Sequence, residues 1–362
     1  EKANFSALTL MLAQECNMRC SYCYGEGGEY NNKGIMTENV AFQAIDYLVK
    51  NSTDELLHIA FLGGEPLLNF PLLKKVVEYC KQISADTGKK FSYTITTNGT
   101  LITDNIEKYL TENKIVCQIS LDGTKEKNDM NRFFRNKKGS YDVIVEKTKS
   151  MRHMNLVTAR ATVTPDNSDY KEIFNHLNEL EFRAIPIAIA QNMVDDEQFD
   201  KILSEYINYI FYFEELILTK QYAKAKKMTD LVNALEKIEF GNVRNNGCGA
   251  GRTMFAVDID GTLYPCHRFV GERKFALGNI WTGSDNSKFL KMINVRNRDK
   301  CSKCWAQNLC LGCCPHENYT NTNNINLASE RSCRMAKTIY EKLISVYIKM
   351  SDEDKKMMWP ED

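Results

Sequence analysis

The sequence is short of the features that mark several large classes of protein. Its 47 basic and 47 acidic residues cancel to a net charge of zero. It therefore lacks the positive surplus that a polyanion-binding surface draws on. The longest basic runs, Lys137-Lys138 and Lys224 to Lys227, read as solvated loop or helix faces. Nucleic acid is not an expected partner. No apolar run approaches the ~20 residues of a membrane span. No signal peptide opens the chain, so no membrane partner is expected and the expected location is cytoplasmic. There is no internal repeat and no low-complexity tract. Asn318-Tyr319-Thr320 matches a glycosylation acceptor by pattern only, and in a cytosolic protein it carries no weight. The first residue is Glu1 rather than Met, which suggests a trimmed native N-terminus.

What the chain has is length, apolar content and cysteine. Its 362 residues are 43% hydrophobic, enough for one large domain and a smaller one. Thirteen cysteines are many, and most fall in short-spaced groups. In a cytosolic chain, clustered cysteines bind metal more often than they form disulfides. Length, the missing signal and a long strand–helix alternation argue against a secreted, disulfide-rich protein.

That alternation fills the first half. Strands are expected at Leu8 to Leu12, Leu56 to Leu62, Phe91 to Thr97, Ile115 to Leu121, 156–164 and 184–190. Helices are expected from the N-cap Thr37, from about Leu72 to Gly88, from Thr103, and over 140–154 and 168–181. Six strands with five helices between them imply a parallel sheet with helices outside. Parallel barrels place their chemistry at the strand C-terminal ends. There the sequence has its oddities: the first cysteines, Gly63-Gly64-Glu65-Pro66, Asn98-Gly99 and Asp122-Gly123. Residues 1–194 read as this core, and 195–240 as a helical bridge. The composition shifts after Gly241-Asn242, so 241–340 is a second, cysteine-rich domain, and 341–362 a C-terminal helix or tail.

Cys16, Cys20 and Cys23 are separated by three and two residues. Three thiolates in eight residues can wrap one cuboidal iron–sulfur cluster. Three ligands for four irons leave one iron open for a small molecule. A structural zinc site would want a fourth ligand, and the next His is His58.

The motif Cys16-Asn-Met-Arg-Cys20-Ser-Tyr-Cys23 resembles the signature of the radical S-adenosylmethionine (SAM) superfamily. The resemblance implies a partial (β/α)6 TIM-like barrel of α/β class. It implies SAM on the open iron, reductive cleavage to a 5′-deoxyadenosyl radical, and hydrogen abstraction from a substrate. An electron donor such as flavodoxin or ferredoxin follows. Carried over by position, Tyr22 stands beside the adenine. Gly63, Gly64, Glu65 and Pro66 meet the SAM amino group, where glycines allow close approach and a carboxylate can pair with an ammonium. Ser120 and Asp122 lie near the ribose. Arg132 pairs with the SAM carboxylate. Asn98 is the weakest of these assignments. Taken singly, each match is also ordinary turn chemistry.

The second group resembles a SPASM domain, a smaller C-terminal iron–sulfur domain carrying two auxiliary 4Fe–4S clusters. Twelve residues, Gly261 and four residues separate Cys248 from Cys266. Cys301, Cys304, Cys310 and Cys314 follow with spacers of two, five and three, and Cys333 is last. Met254 to Ile259, Asp260-Gly261 and Thr262 to Pro265 read as a hairpin that delivers Cys266. The family's crossed pattern implies one cluster on Cys301, Cys304, Cys310 and Cys333. It implies another on Cys248, Cys266 and Cys314, one ligand short. An open iron is the favoured reading, with the spare Cys313 as the alternative fourth ligand. Cys80 and Cys117 read as buried core thiols.

An open auxiliary iron suits a soft substrate thiolate. The implied enzyme is then a peptide maturase of the ranthipeptide or sactipeptide class. It would join Cys sulfur to carbon as a thioether in a ribosomally made, Cys-containing precursor peptide, its partner. The alternatives are an anaerobic sulfatase maturase or a carbon–carbon crosslinking maturase. The sulfatase maturases carry an Asp base directly after the equivalent of Cys266. Here that residue is His267, a candidate catalytic base because imidazole titrates near neutrality. Many peptide maturases have an N-terminal peptide-recognition domain, which this chain does not show before Cys16.

Overall fold

The computed structural model describes residues 4–241 and 247–360. Asn242, where the composition shifts, lies outside the described residues, as does Glu1.

In chain order the elements are β1 (Ala7–Gln14), β2 (Gly34–Ile35), α1 (Glu38–Lys50), β3 (Leu56–Gly63), α2 (Phe70–Thr87), β4 (Lys90–Thr97), α3 (Asp104–Glu112) and β5 (Val116–Ser120). Next come α4 (Lys125–Asn131), α5 (Tyr141–Lys147), α6 (Lys149–His153), β6 (Val157–Val163), α7 (Tyr170–Glu179) and β7 (Ile187–Ile189). The helices α8 (Asp196–Leu218), α9 (Tyr222–Ala225) and α10 (Thr229–Glu239) follow. After them are β8 (Met254–Val257), β9 (Thr262–Tyr264), β10 (Gly278–Asn279), β11 (Gly283–Ser284), α11 (Ser287–Ile293), α12 (Asp299–Ser302), α13 (Gln307–Cys310), α14 (Pro315–Thr322), α15 (Glu330–Lys349) and α16 (Asp352–Met358). The six expected strands are present, five of them within two residues of their expected ends, while the last, expected over 184–190, is confined to Ile187–Ile189. Among the described residues, no helix is long and apolar enough to cross a membrane.

The fold is mixed α/β, with a parallel sheet in an unclosed, barrel-like core, as the alternation predicts. Local chemistry explains the boundaries. Thr37 caps α1 by accepting from the Val40 N–H, and α2 ends on Gly88 in the left-handed conformation. The expected helix over 140–154 is two helices broken at Thr148. There both the Thr148 N–H and its hydroxyl donate to the Ile144 carbonyl, closing α5 before α6 begins.

Two compact units divide the chain. The first comprises residues 1–120, 129–151 and 248–292. In it β1, β3, β4 and β5 run parallel in that order. On the other side of β1, β8 adds in parallel, pairing Ala7 to Leu10 with Met254 to Val257. β9 turns back antiparallel on β8, forming the expected hairpin. β10 and β11 extend it. Leu8, Leu10, Ile59, Phe61, Ile95 and Ile119 lie fully buried along these strands. The second unit comprises 121–128, 152–247 and 293–362. It holds the parallel pair β6–β7 and a helical layer in which α8 packs on α7 and α15, and α15 on α10. A Tyr- and Phe-rich core including Tyr170, Phe174, Tyr209 and Phe213 fills that layer.

Candidate active site

In the first unit, the chain leaves β1 at Gln14 and enters the loop bearing Cys16, Cys20 and Cys23. All three cysteines are partly exposed. Protein groups brace this loop heavily. Arg19 donates through Nη1 to the carbonyls of Cys16 (3.0 Å), Met18 (2.7 Å) and Gly27 (3.2 Å). Arg135 donates through Nε and Nη2 to the same Cys16 carbonyl. The Arg19 and Ser21 N–H groups donate to Phe133 and Asn131 carbonyls. Neither arginine was singled out from sequence, although Arg19 stands inside the motif.

The Gly-Gly-Glu-Pro segment lies against this loop. Gly64 N–H donates to Ala13 O at 2.7 Å and Glu65 N–H to Glu15 O at 2.8 Å. A methyl group on Gly64 would stand 2.3 Å from Glu15 O, and one on Gly28 2.7 Å from Gly64 Cα and 2.8 Å from Cys16 Cβ. Only glycine permits this approach. The Glu65 carboxyl is fully buried. Oε1 accepts from Leu67 N–H (3.0 Å) and Thr97 Oγ1 (2.7 Å), and Oε2 from Asn98 N–H (2.8 Å). Burial raises its pKa, opposed by these donors and by the charge of Arg132. Glu65 therefore ties the end of β3 to the end of β4, a role beyond the ammonium contact expected from sequence.

Asn98 extends the tie. Its Nδ2 donates to Asn17 Oδ1 at 2.9 Å and lies 3.8 Å from Cys16 Sγ. Its Oδ1 accepts from Thr100. Arg132, buried, donates through Nη1 to the Tyr22 hydroxyl at 2.7 Å. The structure thus brings together Cys16, Tyr22, Gly63, Gly64, Glu65, Pro66, Asn98 and Arg132, with Ser120 at the end of β5 in the same unit. Asp122 belongs to the second unit, where Oδ1 accepts from Thr162 N–H at 2.9 Å. Burial pushes the Cys16 thiol up to about 11. A bound iron would supply the positive charge that favours thiolate there. Three thiols from one loop and a glycine-lined cradle fit an iron–sulfur cluster with a small molecule beside it.

The hairpin β8–β9 carries Cys266 just past its second strand. Gly251 N–H donates to Pro265 O at 3.0 Å, joining the Cys248 loop to the Cys266 end. His267 opens a single helical turn to Phe269, and its ring lies 6.4 Å from that of Tyr24. The Arg268 guanidinium stands over the Tyr24 ring at 5.5 Å. Tyr24 and its neighbour Tyr30, which donates to Gly63 O at 3.2 Å, were not foreseen. Nor was the buried pair of Gln14 with Asp258, whose carboxyl burial pushes up.

In the second unit, Cys301, Cys304, Cys310, Cys313 and Cys333 line one cavity of about 550 Å³. Cys314 precedes α14 and is not among its lining residues. The sulfurs of Cys310 and Cys313 are 3.5 Å apart. The Cys313 thiol, donating to Cys310, holds the Cys310 pKa below the usual thiol value, while that bond and burial push Cys313 up. Among the described residues, no three His, Cys, Asp or Glu side chains converge closely enough to hold a single ion. The thiols ring a volume instead, as cluster ligands do. Cys80 and Cys117 are fully buried core thiols, as expected.

The sequence pattern of the radical SAM superfamily covers residues 11–180, and that of the SPASM iron–sulfur cluster-binding domain covers 248–305. The chain belongs to the radical SAM superfamily. Its cofactors are SAM and 4Fe–4S clusters. The chain is 26% identical over 373 residues to a cysteine-type anaerobic sulfatase-maturating enzyme of Clostridium novyi (strain NT), covering 94% of this chain and 96% of that one. Its fold is similar to that of native anSMEcpe with bound AdoMet and Cp18Cys peptide, with a TM-score of 0.77, 22% identity, and coverage of 96% of this chain and 100% of that one. It is also similar to Streptococcus suis SuiB bound to precursor peptide SuiA, with a TM-score of 0.58, 17% identity, and coverage of 92% and 76%.

Proposed function

We propose that this radical SAM enzyme is a peptide maturase that joins a Cys sulfur to a carbon of a precursor peptide. When bound, SAM and its cluster supply a 5′-deoxyadenosyl radical, and an auxiliary cluster supplies an iron for a thiolate and takes up one electron. Cys16, Cys20 and Cys23 would hold the first cluster. Tyr22, Gly63 to Pro66, Asn98, Ser120, Asp122 and Arg132 would hold SAM. Cys301, Cys304, Cys310 and Cys333 would hold the C-terminal cluster. Cys248, Cys266 and Cys314 would hold the middle one, three clusters in all.

The observation that carries the reading is the position of Cys313. It is the cysteine available to complete the middle set, and it lies against Cys310 in the C-terminal cavity. That supports a middle cluster with a free iron, the coordination a substrate thiolate needs. Relatives support a peptide substrate, since SuiB was solved with a precursor peptide and anSMEcpe with the Cp18Cys peptide. His267, where the sulfatase maturases carry Asp, favours thioether formation over their reaction.

Each link breaks one C–H and one S–H bond and forms one C–S bond. The hydrogen atom would leave in 5′-deoxyadenosine, the proton would go to a base for which His267 is the candidate, and an auxiliary cluster, when bound, would accept the electron. A flavodoxin or ferredoxin would return electrons to the SAM-binding cluster. Arg19, Arg135 and Glu65 fix the loop so that substrate meets a preset site.

The test is anaerobic incubation with SAM, a reductant and a Cys-containing precursor peptide. The product should be lighter by about two mass units per link (two hydrogens lost), with the linked Cys closed to alkylation. An unchanged free-thiol count, together with turnover of a sulfatase-derived Cys peptide, would move the protein to the sulfatase maturases.

A further inference from the structure

The C-terminal cavity has one thiol too many. A cubane cluster takes four cysteines, and five line this space: Cys301, Cys304, Cys310, Cys313 and Cys333. The surplus lies between Cys310 and Cys313, whose sulfurs are 3.5 Å apart, too far for a disulfide bond. Both approach from one tight turn. Leu311, Gly312 and Cys313 follow one another in the left-handed region, with φ of 57°, 81° and 61°. Only glycine adopts that conformation without cost.

Two buried side chains hold the turn. Arg298 Nη1 donates to Gly312 O at 2.8 Å, and Asn318 Nδ2 donates to the same oxygen at 3.0 Å. Both residues are at most 5% exposed. A cysteine kept where glycine would sit more easily, with its sulfur turned into a thiol-lined cavity, is an outlier that points to a use.

We propose that Cys310 and Cys313 are interchangeable ligands for one iron of the C-terminal cluster. Whichever sulfur does not bind the iron keeps its proton and donates it to the sulfur that does. Exchange moves one proton between the two sulfurs and forms and breaks one Fe–S bond, with no change in oxidation state. The inference rests on the cofactor assignment and not on the crosslinking reaction. Iron counts made without peptide therefore keep the two apart.

The experiment loads the whole enzyme anaerobically with iron and sulfide and counts iron per chain, with the electron paramagnetic resonance of the reduced clusters alongside. Cys310→Ala and Cys313→Ala should each keep the native count. The double variant and Cys304→Ala, each left with one iron short of a cysteine, should shift the resonance of that cluster or lose up to about four irons, one cubane. Loss of that cluster in Cys310→Ala alone would make Cys310 the sole ligand and overturn the proposal. A double variant with undiminished iron and a native resonance would overturn it too. Alkylation of the loaded native enzyme, read by peptide mass spectrometry, does not depend on any variant folding. Label shared between Cys310 and Cys313 supports exchange. Label on Cys313 alone, or a Cys310–Cys313 disulfide, refutes it.

Discussion

The two cysteine-bearing regions are built on different principles. The loop at Cys16 to Cys23 is fixed by groups from elsewhere in the first unit. Arg19 and Arg135 grip its carbonyls, glycines let β3 press on it, and Glu65 and Asn98 lock strand ends beside it. The C-terminal cavity is lined by two four-residue helices, α12 and α13, a left-handed turn and the start of α15. Helices that short hold little structure alone. The contrast predicts that the first site is shaped before iron arrives, and that the second takes more of its order from iron.

Removing the iron should break this symmetry most visibly. With chelation, amide exchange across residues 295–333 should rise at least ~10-fold, because binding energy there is folding energy. β1, β3 and β4 should change by less than about twofold. Hydrogen-exchange mass spectrometry checks this, and equal deprotection of both regions would end the distinction.

A smaller effect sharpens the first half of the comparison. Glu65→Gln turns an amide N–H₂ toward donors that now meet a carboxylate oxygen. That leaves a buried donor unmet and should lower stability by about 1–3 kcal/mol. Thermal melting with iron retention measures it. A melting point unchanged from native would show that the Glu65 ties do not hold the loop.

The smallest effect concerns the helical layer of the second unit. Asp230 accepts from the Tyr206 hydroxyl at 3.2 Å, and burial raises its pKa to about 6. Below pH ~4 both folded and unfolded chains hold this proton. Between about 4 and 6 the folded chain keeps it and the unfolded chain loses it, so stability falls as pH rises and levels off above 6. Asp230→Asn should remove that slope and gain on the order of 1 kcal/mol at pH 7. Urea titrations at several pH values test it, and a slope that persists in the variant would count against the assignment.

Much of this could be read in the sequence. Periodicity located six strands because each is a run of β-formers between turn residues. Cysteine spacing marked both iron–sulfur regions because wrapping a small cluster constrains neighbours in the chain. What stayed hidden depends on contacts between distant residues. Gln14 meets Asp258 across 244 positions, and Arg135 reaches Cys16 across 119. No local pattern announces such partners. Cys313 was legible as a spare cysteine, but its cavity was not, because three successive left-handed residues decide where it points. The break at Thr148 left no trace in periodicity, because α5 and α6 follow each other with a single residue between them.

The pairing of β8 with β1 has a consequence for how the protein is made. β1 is made well before its outer neighbour, which is encoded almost 250 residues later. At ~5–20 residues per second, that is a wait of roughly 12–50 seconds. Throughout it, the Ala7 to Leu10 edge has no strand to cover it, and such an edge invites pairing with other chains. The nascent protein therefore has a defined interval of risk, and it closes only when the β8–β9 hairpin emerges.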